Sequence, residues 1–192
     1  MNEPLFAKMY EQHKAYIRQD GIRQKPVLVV FSAVPGSGKS TLTRLLVEDY
    51  GFLRIANKDV RLAAKQVSAQ DAESGTDNVV GPYTLWLLDK LTQQSRPSIV
   101  LDRNIDQWYE APKKWAEEHG YRLVVVRMQV SLDILKRRIA TRRPEDRDHT
   151  LSVLEFYRRK HETVSFGAKM DLELVDDFDL PESAATIAAL LN

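Results

Sequence analysis

The stretch "VLVVFSAVPGSGKSTLTRLL", Val27 to Leu46, decides how this chain is read. Val27 to Phe31 form an apolar run of strand length. Thr41 to Leu46 have helical spacing. The "AVPGSGKS" between them belongs to neither element, and a plain turn needs one or two glycines and no lysine. A bound phosphate accounts for all of it. A tight glycine loop lets successive backbone N–H groups point inward as an anion nest. The helix that follows adds its unpaired N–H groups and the positive end of its dipole. Gly36 and Gly38 permit positive φ and close backbone approach. Lys39 then reaches the β- and γ-phosphates of a nucleotide, and the Ser40 hydroxyl holds Mg²⁺. The pattern is G-x-x-x-x-G-K-[ST], with Ala33 in place of the first glycine. Pro35, Gly36, Ser37, Gly38, Lys39, Ser40 and Thr41 are the expected nucleotide-binding residues, and ATP with Mg²⁺ the expected cofactors.

Working outward, strands and helices alternate. "GFLRIA", "PSIVLD", "YRLVVVRMQV" and "LELV" read as further strands. "DVRLAAKQV", "YTLWLLDKL", "QWYEAPKKWAEEH", "SLDILKRRIATRR", "TLSVLEFYRRKHETV" and "PESAATIAALL" read as helices. Gly120, Ser131, Thr150 and Pro181 stand as their stop or start signals. "SAQDAESGTDNVVG" reads as polar and irregular. Strands alternating with helices predict a mostly parallel five-stranded sheet in a three-layer α/β/α fold. Continuously apolar strands fit a sheet covered on both faces. Phe6, Met9, Tyr10, His13 and Ile17 fall at helical spacing, so residues 1–25 are expected to be a helical extension docked on the core.

The chain of 192 residues reads as one domain, 1–192. Its 28 basic and 27 acidic residues leave a net charge of +1, which argues against bulk nucleic-acid binding. With no cysteine, disulfides and thiolate metal sites are excluded, and a cytoplasmic location is expected. No apolar run approaches the ~18 residues of a membrane span, and the N-terminus lacks the apolar core of a signal peptide. The four histidines show no metal-ligand spacing.

Ligands of such sheets bind beyond the carboxyl ends of the strands. Asp102 ends an apolar strand, where a carboxylate would hold the Mg²⁺ water shell near Ser40. Asp59 follows the second strand, where it would accept the proton of an attacking hydroxyl. At 100° per residue, Arg138 and Arg142 lie within roughly 60° of Leu135, on the apolar side of their helix. Arginines that only solvate a helix would sit opposite. The pair is therefore expected to face a polyanion, and residues 143–149, which run into "RRPEDRD", are expected to be a lid connection. "YRRKH" at 157–161 is expected to be a solvated helix face, and the tryptophans core. The insert "SAQDAESGTDNVVG" carries Asp71, Glu73 and Asp77 and no basic residue. That favours an uncharged or cationic small acceptor over a nucleic-acid backbone.

The segments "PGSGKST", "GFLRIANKDVR", "VLDRN", "KKWAEEHGYRLVVVRMQV" and "LKRRIATRR" together resemble the kinase domain of bacteriophage polynucleotide kinase, within a wider group of zeta-toxin-like and small-molecule P-loop kinases. The resemblance runs from about Val27 to Arg143. It implies a P-loop kinase fold with an arginine-bearing lid. Asp59 would be the general base, Asp102 and Asn104 would lie near the phosphates or metal, and Arg138 and Arg142 would be the lid arginines. The family commonly has an arginine three residues after the base. Here that residue is Leu62, and Arg61 comes one earlier. The activity implied is transfer of the γ-phosphate of ATP to a hydroxyl. The acceptor is a small molecule or a polynucleotide 5′ end, and a regulatory ATPase without transfer is the alternative from another class.

Overall fold

A run of seven residues buried end to end, Val27–Ala33, forms the central strand β1. The computed structural model describes residues 3–14, 26–67, 77–93, 95–163 and 170–190. Among them, α1 (Glu3–His13) precedes β1. Then come α2 (Lys39–Tyr50), β2 (Leu53–Ala56), α3 (Asn57–Val67), α4 (Asp77–Thr92) and β3 (Ile99–Asn104). The chain continues through α5 (Glu110–His119), β4 (Arg122–Gln129), α6 (Leu132–Ala140), α7 (Pro144–Thr163), β5 (Leu172–Val175) and α8 (Leu180–Ala189). The sheet order is β2-β3-β1-β4-β5, with every pairing parallel.

Alternation along β1 assigns the two faces. Leu28 and Val30 join Leu53, Ile55 and Leu101 beneath α1, α3, α4 and α5. Val27, Val29 and Phe31 join Leu42 and Leu46 of α2 and Ile187 of α8 on the other face. Each such side chain fully buried contributes roughly 1.5–3 kcal/mol before entropy is counted. An aspartate at Val29 would therefore abolish the fold. A third cluster joins Val34 to Leu135, Ile139 and Leu154, and so ties α6 and α7 to the carboxyl end of the sheet.

The parallel ladder between β1 and β3 breaks where it matters. Val29 pairs with Val100, but Phe31 pairs with Asn104, so β3 runs two residues longer beside Asp102 and Arg103. Such irregularities re-aim side chains.

Helix α1 docks as its apolar spacing predicts. Phe6 meets Tyr83 edge-on at 5.6 Å, and a His13 ring nitrogen lies 3.3 Å from the Tyr83 hydroxyl. Burial lowers the pKa of His13, with the charge of Asp59 opposing it, and burial pushes the Tyr83 hydroxyl up. Ile17 and most of "QDGIRQKP" lie outside the described residues.

Three local expectations are corrected. Residues 77–81, read as irregular, are the first turns of α4, which continues through Gly81 and Pro82. Packing overrides the local breakers there: a Cβ on Gly81 would come within 3.2 Å of Trp108 Nε1. Residues 144–149, read as a lid connection, are helical. Pro144 opens α7 without losing an intrahelical donor, and Glu145 and Asp146 favour the helix dipole. Thr150 is consequently not an N-cap. It lies inside α7, where its hydroxyl donates to the Asp146 carbonyl at 2.6 Å.

Candidate active site

The phosphate loop begins where β1 ends. The Ser37 amide bonds the Val34 carbonyl at 3.2 Å, closing a turn over Pro35 and Gly36. Gly36 has φ +92°, and a Cβ there would come within 3.0 Å of Ile139 Cγ1. Gly38, with φ +98°, is the residue before α2, and its carbonyl accepts from both Thr41 and Leu42 amides at 3.0 Å. An L-residue at either glycine would be strained. Ser37 is buried, its hydroxyl 3.7 Å from Met128 Sδ, so it shapes the loop from beneath.

Beside the loop, one carboxylate gathers three partners. Asp102 is 5% exposed. Its Oδ1 accepts from Lys39 Nζ and, at 3.1 Å, from Ser40 Oγ. Its Oδ2 accepts from Arg54 Nη2. Burial works to raise its pKa, but the charges and hydrogen bonds of Lys39 and Arg54 outweigh it and hold Asp102 at about 2. A hydroxyl and a carboxylate oxygen facing each other suit a hard cation such as Mg²⁺, which takes oxygen donors and keeps several waters. The donor set fits the implied ion, with Ser40 and Asp102 the residues that would hold it. No group of three or more histidine, aspartate or glutamate side chains spaced to hold a metal by themselves occurs among the described residues.

Arg54 is the residue that sequence reasoning missed. From β2 it spans the site: Nε donates to Thr43 Oγ1 of α2 at 3.1 Å, and Nη1 lies 3.9 Å from Asp59 Oδ2. The signal was present, since Arg54 interrupts an otherwise apolar strand end. Asp59 stands in the first turn of α3, as expected, with its side chain 25% exposed beside this guanidinium.

The two arginines expected to face one polyanion part company. Arg138 Nη1 donates to the Ser37 carbonyl at 3.0 Å, and its other arm lies 3.4 Å from Asp177. It therefore reaches the phosphate loop. Arg142 Nη1 donates instead to Thr150 Oγ1 at 3.0 Å and braces α6 against α7. The expected pair on one polyanion is thus one arginine at the loop and one at a helix junction. Asn104 Oδ1 accepts from the Asp106 amide at 3.0 Å and lies 3.5 Å from the Ala33 amide, clamping β3 to the start of the loop.

A cavity of about 400 Å³ opens from Lys39 and Asp102. Asn57 and Arg61 of α3, Arg103 and Trp108 after β3, and Tyr157 and Lys160 of α7 supply much of its wall. Trp108, expected in the core, packs half-buried against it and also borders the cavity, with the Arg103 guanidinium 4.1 Å over its ring. "YRRKH" divides by face. Arg158 and Arg159 pair with Glu155 in solvent, while Tyr157 and Lys160 reach the cavity. His161 is buried: its Nδ1 lies 3.1 Å from Asp106 Oδ2, and Ser32 Oγ donates to Asp106 Oδ1 at 2.6 Å. This triangle fastens the end of α7 to β1 and the β3 exit. No spacing rule could have found it.

The AAA domain family matches residues 28–164. No curated protein matches the chain by sequence. Among solved structures, the APS kinase CysC of Mycobacterium tuberculosis, in complex with AMPPNP and APS, superposes with a TM-score of 0.58 at 17% identity. That match covers 88% of this chain and 99% of that one. Shikimate kinase from Acinetobacter baumannii, in complex with shikimate, gives 0.54 at 13% identity over 93% and 96% of the two chains. These likenesses establish a P-loop kinase fold. No helix among the described residues is long and apolar enough to cross a membrane.

Proposed function

This chain belongs to the AAA domain family, and from that premise we propose that it is an ATP-dependent phosphotransferase acting on a hydroxyl of a small molecule. The observation that carries the reading is the convergence of Lys39, Ser40 and Arg54 on Asp102, between the glycine loop and a cavity large enough for an acceptor. A binding module would need the loop, but not a walled space beside it. The two solved structures of similar fold are an APS kinase in complex with APS and a shikimate kinase in complex with shikimate, which supports a small-molecule acceptor here.

In this reading the loop amides, Lys39 and the start of α2 hold the ATP phosphates. Ser40 and Asp102 would hold Mg²⁺, which would supply charge neutralisation when bound. The acceptor oxygen forms a bond to the γ-phosphorus as the bond from that phosphorus to the β-phosphate oxygen breaks. ADP leaves with the released electron pair, and the hydroxyl proton passes to Asp59. Arg138, already at the loop carbonyl, stabilises charge on the transferred group. The resemblance to polynucleotide kinase is carried by "NKD" and "DRN", so 5′-hydroxyl oligonucleotides belong in the acceptor screen as the alternative.

The experiment is a screen of hydroxyl acceptors with γ-labelled ATP. Label appearing in a small product supports the reading. Label only in inorganic phosphate, at the same rate with every acceptor, supports a slow regulatory ATPase instead.

A further inference from the structure

Two walls of the cavity meet at one buried carboxylate. Asp106 belongs to the segment after β3, which also brings Gln107 and Trp108 to the cavity. Helix α7 brings Tyr157 and Lys160 from the other side. The Asp106 side chain is 1% exposed. Its Oδ1 accepts from Ser32 Oγ at 2.6 Å, and its Oδ2 lies 3.1 Å from His161 Nδ1. The Ser32 hydrogen is spent on Oδ1, so Nδ1 is the atom that brings a hydrogen to Oδ2. Nε2 of the same ring is buried and has no hydrogen-bond partner. The directional hold of His161 therefore passes through Nδ1. None of these three side chains takes part in the transfer chemistry.

The end of α7 depends on that hold. From 155 to 163 the side chains are exposed or half-buried apart from His161, which is buried. Leu154 joins Val34, Leu135 and Ile139, and Tyr157 packs against them, but no later residue of α7 belongs to that cluster. A helix end with few buried contacts opens locally at little cost. An apolar side chain at 161 could fill the same space. A carboxylate reached by two donors fixes direction as well as distance. Direction matters because of where the other donor stands. Ser32 lies in β1 beside Ala33, which ends the strand, and the phosphate loop begins there. A hydroxyl reacts only when held about 3–3.5 Å from phosphorus and in line. The wall that holds the acceptor must therefore be registered against the loop that holds the nucleotide.

We propose that His161 is a positioning residue: through Nδ1 and Asp106 it fixes the α7 wall of the cavity relative to the phosphate loop. It touches neither nucleotide nor acceptor. This rests on the acceptor reading above. It is independent of the charge preference drawn from the polar insert, whose Asp71 and Glu73 lie outside the described residues.

Three variants of the whole chain test it. The amide nitrogen of asparagine is bonded to Cγ, as Nδ1 of histidine is. That of glutamine lies one bond farther out, and leucine has none. Each variant is measured for melting temperature, for AMPPNP affinity with Mg²⁺ by calorimetry, for hydrogen exchange over residues 155–163, and for transfer from labelled ATP to the acceptor found in the screen. His161→Leu should keep nucleotide affinity within a few-fold, speed exchange at the end of α7, and raise the acceptor KM about tenfold, the worth of one charge-assisted hydrogen bond. His161→Asn should bring exchange and KM back towards native values, and His161→Gln should not. If His161→Leu fails to fold, the contrast between His161→Asn and His161→Gln decides. The proposal falls if His161→Leu keeps native exchange and KM, or if His161→Asn and His161→Gln behave alike. It falls also if nucleotide affinity drops as far as acceptor affinity, the mark of a general loss of structure. Should the native protein phosphorylate no acceptor, the kinase reading fails by itself, and the exchange contrast still decides whether His161 holds the wall.

Discussion

The two sides of this site are built by different means. The phosphate side comes from one contiguous stretch, Val34 to Thr41, and its working groups are largely backbone N–H. The acceptor side is assembled from side chains of α3, the segment after β3, and α7, which lie up to about a hundred residues apart in the chain. A loop of backbone groups depends on where glycines stand. A wall of side chains depends on how helices pack. Mutations should therefore separate the sides, with nucleotide handling failing alone on one and acceptor handling failing alone on the other.

The largest separation is expected at Asp59. Asp59→Asn should cut transfer by ~10²–10⁴, the usual worth of a general base, with ATP affinity within a few-fold. Transfer assays beside nucleotide titration read both. If transfer survives, Asp59 serves only the helix start and the Arg54 pair. Next comes the phosphate side. Lys39→Ala should remove ~10²–10³ of ATP turnover, with the melting temperature little changed because Asp102 keeps Ser40 and Arg54. Retained turnover would dismantle the contrast altogether.

Arg54 belongs to both sides, so it sharpens the comparison. Arg54→Gln should lower transfer about tenfold and raise the Mg²⁺ concentration needed for half-maximal rate, since Asp102 loses the partner that orients it. It should also change acid stability. Asp102 in the fold sits at about 2, against an ordinary 3.8. Its contribution, about 2 kcal/mol, is therefore present above roughly pH 4 and is lost as pH falls towards 2. Removing Arg54 raises the folded value, so the loss should begin at higher pH. Acid unfolding curves of the two proteins would show the shift, and superimposable curves would refute the assignment.

The smallest effects distinguish Arg138 of α6 from Arg142 just beyond its end. Arg138→Ala should reduce transfer roughly tenfold with little loss of stability, because its charge serves the transition state. Arg142→Ala should change transfer only a few-fold and act chiefly through the bond to Thr150. Kinetics and thermal melting on both would decide. Equal losses would restore the pair expected from helical spacing.

The sequence by itself determined the order of elements, the parallel sheet, the phosphate loop with Lys39 and Ser40, and the standing of Asp59 and Asp102 at strand ends. These follow from short-range rules: apolar runs, glycines at positive φ, and the exit of parallel strands at one edge. It also placed Arg138 on the inner side of α6, since a helix of fixed pitch leaves no other choice, whereas α6 ends at Ala140 and leaves Arg142 beyond it. It could not say what each would touch. Only the tertiary structure decided that Arg138 meets the Ser37 carbonyl and Arg142 meets Thr150, that Arg54 joins Asp102 to Asp59, and that Ser32, Asp106 and His161 lock together. Helix α7 likewise begins at Pro144 because its inner face has α6 and the loop to pack against. Contacts between residues distant in the chain depend on the relative placement of whole elements, and no local periodicity encodes that placement.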